Sequence, residues 1–340
     1  MNASSKWLAV AAFAMAILGT GAMRRFALRK NMLDVPNSRS SHAVPTPRGG
    51  GVAIAGAFFV ALLGIAAATN LGAAPLAALL IGGAMIAYVG WLDDRRTLSA
   101  GVRFGVHLAA AVGAVLLIGT MPEGWMAAWG LHGAWIGFCV AVVALVCMTN
   151  VFNFMDGIDG LAAGESAFMC IAGAWLTWYR SGDAAMAGAW LCLAAASIGF
   201  LAWNLPPARI FMGDVGSGFL GFTITALGLA TIQRDGLPIE VFAILGGVFL
   251  VDATITLVRR VLRGDRWLEA HRSHAYQRLA QRWKAHWPVT TLLLAIDVFW
   301  LLPWAAAAAR TPADARWILG AALLPLVILT LLVGAGSRES

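Results

Sequence analysis

The chain has 340 residues, of which 60% are hydrophobic and only 12% are charged, and its net charge is +7. Because soluble domains carry about 25% charged residues, this composition excludes an ordinary soluble protein and predicts a chain surrounded mostly by lipid. The positive charge does not indicate a nucleic-acid partner, since the basic residues lie in short connections between apolar runs; an anionic membrane surface explains them better.

Long apolar runs follow one another along the whole chain. A helix of about 20 apolar residues crosses the hydrocarbon core of a bilayer, and on this basis we predict about eleven spans. They fall near 7–23, 51–69, 73–92, 103–119, 131–149, 162–179, 185–203, 218–232, 238–258, 288–308 and 315–334. The predicted fold is therefore all-α and polytopic, with residues 1–340 forming a single integral membrane domain.

The charges around the spans predict the orientation of the chain. The first run, 7–23, is followed by a basic cluster, whereas a cleaved signal peptide carries its charge first, so we predict an uncleaved anchor. Arginine and lysine concentrate in the connections 24–48, 95–103 and 259–284. The positive-inside rule places these connections in the cytoplasm of a bacterial inner membrane, with a periplasmic N-terminus and a cytoplasmic C-terminus.

An aspartate pair, Asp93 and Asp94, follows the third predicted span. Adjacent helical residues point in different directions, so both carboxylates face one ligand only if the helix ends there. The alternative is a solvated helix end, because two arginines come next. Arg103 and His107, one turn apart in the following span, favour a functional role because they offer a cation to a lipid phosphate.

Four polar residues, Asn150, Asn153, Asp156 and Asp159, follow the fifth span at steps of three. On a helix these steps share one face, and the glycines at 157 and 160 allow the backbone to open so that the side chains converge. Helix capping explains one or two such residues but not four. Polar groups near a membrane are costly without a use, so we predict a binding or catalytic loop.

Asp214 lies among glycines 213, 216 and 218, directly before another apolar run. Glycines allow the backbone to approach a phosphate closely, and a helix start favours an anion. A carboxylate there would repel a diphosphate unless a cation lay between them, which predicts an oxygen-ligated Mg²⁺. The alternative is a glycine-rich turn capped by Ser217. All of these acidic groups lie at the predicted cytoplasmic face, where we place the active site.

The segment 259–287 is a basic connection with three tryptophans, and we predict that it lies along the cytoplasmic interface. His271 and His274 lack a third zinc ligand nearby, so with Arg272 they indicate donors to phosphate or sugar oxygens. The alternative is a basic membrane-surface stretch. Asp252 and Asp297 fall inside apolar spans, where either a function or packing against a polar neighbour explains an ionisable group.

Together these motifs resemble the polyprenyl-phosphate N-acetylaminosugar 1-phosphate transferases, which are glycosyltransferase family 4. The similarity runs from about Asp34 to Gln277. It covers the glycine-rich segment 42–51, the aspartate pair with Leu98 and Ser99, the loop 150–160, the segment 212–214 and the late histidine motif, in the order of the family.

The resemblance implies a role for each of these positions. Asp214 would bind Mg²⁺, with Mn²⁺ as an alternative, together with Asn153. Phe211 would stack on uracil and Asp159 would hydrogen-bond it. The catalytic carboxylates would be Asp93, Asp94 and Asp156. Further substrate contacts would come from Asn150, Arg103, His42, His271, Arg272 and His274.

The implied reaction transfers a HexNAc 1-phosphate from a UDP-N-acetylamino sugar to undecaprenyl or another polyprenyl phosphate and releases UMP. Thr97 stands where the branch that makes the peptidoglycan lipid precursor has a lysine, and His271 and His274 are separated where that branch has consecutive histidines. Both differences point toward the branch that starts O-antigen or related envelope glycans. A transporter or lipid flippase is the rival function, and the sequence leaves the oligomeric state open, a homodimer included.

Overall fold

The computed structural model describes residues 3–36, 44–265 and 272–337. Two residues predicted to contact substrate, His42 and His271, lie outside these ranges. Helices make up 80% of the structure, which confirms the predicted all-α class.

The helices are labelled here in chain order. They are α1 (Ala3–Arg29), α2 (Gly51–Ala68), α3 (Ala73–Arg95), α4 (Ala100–Ile118), α5 (Glu123–Ala128), α6 (Ala134–Met155), α7 (Leu161–Ser181), α8 (Ala184–Asn204), α9 (Asp214–Asp235), α10 (Ile239–Leu245), α11 (Gly247–Leu262), α12 (Ala275–Trp283), α13 (Trp287–Arg310) and α14 (Pro312–Val333). A π-helical turn interrupts α3 at Ala78–Gly82 and α13 at Asp297–Leu301.

Each of the predicted spans falls on a helix, but not every helix is equally apolar. Within the described ranges, nine helices are long and apolar enough to cross a membrane, and the pair α10 and α11, bent by 78°, makes up to ten. The remaining predicted span, 162–179, corresponds to the 21-residue helix α7. It falls short in hydropathy because it carries Glu165 among small and polar residues.

Helix α9 lies at the centre of the bundle. Its apolar window is 94% buried, whereas that of the peripheral helix α14 is 17% buried. Glycines let its neighbours approach: a Cβ on Gly221 would lie 2.3 Å from the Met148 carbonyl oxygen, and one on Gly51 would lie 2.1 Å from the Gly216 Cα. Small residues at helix contacts are the usual means of close packing in membranes, and here they fix the start of α9.

A short extended segment holds the loop before α9 in place. Strand β1 (Leu33–Asp34) pairs antiparallel with β2 (Thr46–Pro47), and Leu33 lies opposite Pro47. The Phe211 amide donates to the Pro47 carbonyl at 2.8 Å, and the amides of Gly50 and Gly51 donate to the carbonyls of Phe211 and Met212. The glycine-rich segment before α2 is thus joined by backbone hydrogen bonds to the loop that carries Asp214.

Candidate active site

Asp94 binds the first turn of α9 from a neighbouring helix. Its two carboxylate oxygens accept the amides of Asp214 at 3.1 Å and Val215 at 3.2 Å. These amides have no partner within their own helix, so a carboxylate at this position caps the helix. Gly213 makes the approach possible, since it has a φ of +75° and a Cβ there would lie 2.4 Å from Asp94 Oδ2. Asp94 therefore fixes the backbone of Asp214.

Asp93 takes part in a different set of contacts. Its carboxylate accepts the Leu98 amide at 2.6 Å and the Arg103 Nη1 at 2.7 Å. The same guanidinium nitrogen lies 3.5 Å from Asp214 Oδ2, so Arg103 joins the two carboxylates. Arg103 is 37% exposed and can also meet a ligand, whereas the predicted neighbour His107 has a buried Nδ1 with no hydrogen bond in the described ranges.

Asn153 reaches Asp214 from the end of α6. Its Nδ2 donates to Asp214 Oδ1 at 2.9 Å and to Ser217 Oγ at 3.1 Å. The resulting donor set is one carboxylate and one amide, and the described residues contain no group of three His, Cys, Asp or Glu side chains suited to a metal. Mg²⁺ commonly uses one or two protein oxygens and completes its shell with phosphates and water, so the set fits this ion. Rotation of the Asn153 amide would turn its oxygen toward the same point.

Asp156 lies in the loop after α6, close to three other carboxylates. Burial, and then the negative charges of Asp214, Asp94 and Asp159, raise the pKa of Asp156 well above its usual range. The loop is packed tightly, since a Cβ on Gly157 would lie 2.1 Å from the Tyr276 hydroxyl oxygen. A concentration of negative charge that shifts a pKa in this way is typical of a cation-binding site.

Asp159 is held mainly through one of its two carboxylate oxygens. Oδ2 accepts the Ala208 amide at 3.0 Å and lies 3.3 Å from His286 Nδ1. The Asp159 carbonyl accepts a hydrogen bond from Thr290 Oγ1 at 2.9 Å. These contacts fix the carboxylate between the loop before α9 and the start of α13.

Two other predicted substrate residues occupy different settings. The partly exposed ring of Phe211 belongs to the loop that is anchored to Pro47. The Asn150 amide instead donates to the carbonyl of Val146 in its own helix at 2.7 Å.

His274 is almost completely buried, with 3% exposure, and it contacts Asp252. The Asp252 carboxylate also accepts the amides of Ala275 at 2.8 Å and Tyr276 at 3.1 Å, which are the first residues of α12. Asp252 therefore caps a helix from another element, as Asp94 does, which favours the packing explanation for this intramembrane acid.

The other intramembrane acid, Asp297, meets a second carboxyl. Asp297 and Glu165 are both 0% exposed and interact electrostatically with each other. No oxygen of either group makes a hydrogen bond of good geometry within the described ranges. Both lie away from the contacts of the Asp214 cluster.

A polar cavity of about 220 Å³ lies beside the Asp159 loop. Its lining contains no acidic residue and includes three basic ones; it consists of Arg272, Gln277, Ala280, Gln281, Lys284, Ala285 and His286. A Cβ on Gly157 would lie 3.2 Å from Gln277 Nε2, so the cavity wall adjoins the acidic loop. Arg272 thus lies near the predicted site, on its basic side.

The structure thus brings together Asp93, Asp94, Asn153, Asp156 and Asp214 with Arg103, although they come from distant parts of the sequence. Three further residues join them that sequence reasoning did not assign. Arg48 donates to the Asp94 carbonyl, Ser217 accepts from Asn153, and His286 contacts Asp159. Arg48 directly precedes three glycines, which is a signal visible in the sequence, whereas no motif surrounds His286.

Comparison with known proteins gives a consistent result. A family model described as glycosyl transferase family 4 matches residues 76–232. A probable undecaprenyl-phosphate N-acetylglucosaminyl 1-phosphate transferase of Bacillus subtilis is 31% identical over 76% of this chain and 73% of its own length. A decaprenyl-phosphate N-acetylglucosaminephosphotransferase of Mycolicibacterium smegmatis is 30% identical over 92% and 84%. A phospho-N-acetylmuramoyl-pentapeptide-transferase of Mycolicibacterium paratuberculosis is 30% identical over 76% and 80%.

Proposed function

Because the chain belongs to glycosyl transferase family 4, and two of its relatives are named as N-acetylglucosamine phosphotransferases that act on undecaprenyl or decaprenyl phosphate, we propose a specific reaction for it. The chain transfers a HexNAc 1-phosphate from a UDP-N-acetylamino sugar to undecaprenyl or another polyprenyl phosphate and releases UMP. The observation that carries this proposal is the convergence of Asp93, Asn153, Asp214 and Arg103 at one end of the helix bundle.

In the proposed reaction an oxygen of the lipid phosphate forms a bond to the β-phosphorus while the bond to the UMP oxygen breaks. A phosphate monoester has a second pKa of about 6, so the nucleophile is already mostly a dianion at neutral pH and needs little help from a base. Positioning then dominates, and it can supply about 7–11 kcal/mol of barrier reduction. Arg103, which is partly exposed, would hold the lipid phosphate beside Asp93.

Asp214 and Asn153 would hold a divalent cation, with Mg²⁺ the preferred ion and Mn²⁺ an alternative. When bound, the cation would neutralise the diphosphate of the donor. Asp94 supports this site indirectly, because its carboxylate fixes the amides of Asp214 and Val215. Phe211 and Asp159 remain the residues expected to meet the uracil ring.

Thr97 and the separated histidines support a donor other than the muramyl-pentapeptide nucleotide, and we place the enzyme at the start of O-antigen or related envelope-glycan synthesis. The intramembrane acids Asp252 and Asp297 are the best support for the transporter alternative, since a transporter brings polar residues into the membrane. It loses half of this support because Asp252 caps helix α12.

The reaction can be tested with membranes that contain the protein. Labelled UDP-N-acetylglucosamine and undecaprenyl phosphate should yield a labelled lipid and UMP, and EDTA should abolish both products until Mg²⁺ is restored. Asp214→Asn provides the matched inactive control. A panel of UDP-amino sugars identifies the donor, and failure of every UDP-sugar to yield a lipid product would contradict the proposal.

A further inference from the structure

His286 makes an unusual double contact with one residue of the candidate site. Its Nδ1 lies 3.4 Å from the backbone nitrogen of Asp159 and 3.3 Å from the Oδ2 atom of the same residue. The side chains of His286 and Asp159 are only 17% and 11% exposed, so water does not compete freely for either group. The imidazole therefore controls how this aspartate is held.

One nitrogen cannot serve both contacts in the same protonation state. With a lone pair, Nδ1 accepts the Asp159 amide; with a hydrogen, it donates to the carboxylate instead. In the hydrogen-bearing form Oδ2 is held on both sides, by Nδ1–H and by the Ala208 amide at 3.0 Å, while the Asp159 amide gives up Nδ1 as its acceptor. The contacts of the Asp159 carboxylate within the described ranges use Oδ2, which keeps Oδ1 as an acceptor for a ligand.

Charged groups of both signs surround the imidazole. Arg272 and Lys284 line the same cavity as His286, and the Asp159 carboxylate contacts the ring. A hydrogen on Nδ1 gives this carboxylate a donor.

We infer that His286 is a positioning residue that orients the Asp159 carboxylate to accept an N–H group from the base of the nucleotide donor. The inference rests on the proposed function, because it takes the ligand of Asp159 to be the uracil ring. His286 lies outside the motifs described above, and its role is in binding the nucleotide sugar, not in the chemical step.

A double-mutant cycle between positions 286 and 159 provides the test. His286→Phe keeps the ring but removes the donor, and it should raise KM for the UDP-sugar about tenfold with little change in kcat or in KM for the lipid phosphate. His286→Asn restores an N–H donor near the Nδ1 position and should recover most of the affinity. In an Asp159→Asn background, His286→Phe should change KM less than about twofold.

Two controls separate positioning from general loosening of the loop. His132→Phe, the same change in an exposed connection, should leave all constants unchanged. Thr290→Val removes the hydrogen bond to the Asp159 carbonyl and should lower thermal stability without showing coupling to the side chain at position 159. Equal and additive effects of His286→Phe in both backgrounds, or a fall in kcat alone, would overturn the inference.

Binding of UMP, followed by calorimetry on the purified protein, keeps the two proposals distinguishable. If the wild-type chain binds UMP but transfers no sugar phosphate, the proposed function fails while the cycle is still measured on UMP affinity. If neither UMP nor a UDP-sugar binds, both fail. Nitrogen NMR of the imidazole gives an independent result: Nδ1–H should appear in the wild type and shift in Asp159→Asn.

Discussion

At the scale of single residues, neighbouring carboxylates in this site have different physical roles. Both carboxylate oxygens of Asp94 accept hydrogen bonds from backbone amides, whereas the carboxylate of Asp214 contacts Asn153 and Arg103. The first set of contacts caps a helix, whereas the second belongs to the proposed cation site. Stability and activity should therefore respond in opposite ways to the loss of each charge.

Asp94→Asn leaves one oxygen for two amides, so the free energy of unfolding should fall by about 1 kcal/mol. Asp214→Asn removes a crowded charge and should leave stability unchanged or slightly higher. Its activity should fall by about two orders of magnitude or more, because charge stabilisation at a metal site is worth several kcal/mol. Thermal melts and UMP release measured on both variants check this contrast. Equal destabilisation by both would contradict the cap assigned to Asp94.

The raised pKa of Asp156 predicts a pH dependence of stability. In an unfolded chain an aspartate ionises at about pH 3.9. In the folded, metal-free protein, Asp156 keeps its proton to a higher pH. The folded state thus binds more protons in the interval, so the free energy of unfolding falls as pH rises from about 4 to the raised pKa. Asp156→Asn should remove this part of the slope.

The measurement for Asp156 is a series of thermal melts of the wild type and of Asp156→Asn across that interval. The difference between the two curves isolates Asp156 from the other carboxylates. Saturating Mg²⁺ should shrink the difference, because a nearby cation favours the ionised form. Parallel curves at all pH values would show that the pKa is not raised.

At the scale of elements, the site depends on how closely helices α3 and α9 approach. A Cβ on Gly90 would lie 2.5 Å from the Asp214 carbonyl oxygen and 2.6 Å from the Val215 nitrogen. These are backbone atoms at the capped start of a central helix, so they cannot move aside as a flexible side chain would. The glycine in α3 therefore determines where the carboxylate of α9 lies.

Gly90→Ala should destabilise the protein by about 1–3 kcal/mol through overpacking. It should also lower kcat, because the shift falls on the backbone of Asp214. Gly113→Ala in α4 is the matched control, since a Cβ there meets nothing within 4 Å. Alanine is the better helix former, so the control should be neutral or slightly stabilising. Equal behaviour of both variants would argue against the close contact.

At the scale of the whole molecule, the predicted orientation places the site on the cytoplasmic side of the membrane. In a background without the native cysteines, His132→Cys should react with a membrane-impermeant thiol reagent in intact cells. Arg96→Cys, next to the aspartate pair, should react only after the membrane is opened. Both positions are exposed in the structure, so accessibility depends on the side of the membrane alone. The reverse labelling pattern would invert the topology.

The sequence by itself determined the all-α class, the order of the apolar helices and the set of polar motifs between them. These properties are local, since the hydropathy of about 20 consecutive residues decides whether a segment can cross lipid. The resemblance of these motifs to a known family also brought Asp214 and Asn153 into one hypothesis, although 61 positions separate them. The sequence could not show that the predicted span 238–258 forms two helices, α10 and α11, with a bend of 78° between them.

Only the tertiary structure decided which groups each acid contacts. Asp94 caps a helix that begins 120 positions later, and Asp252 caps one that begins 23 positions later, although neither motif differs visibly from a ligand site. His286 contacts Asp159, although 127 positions separate them in the sequence. The role of a carboxylate depends on which donors meet its oxygens, and in this bundle those donors are backbone amides and side chains that helix packing brings from distant parts of the chain.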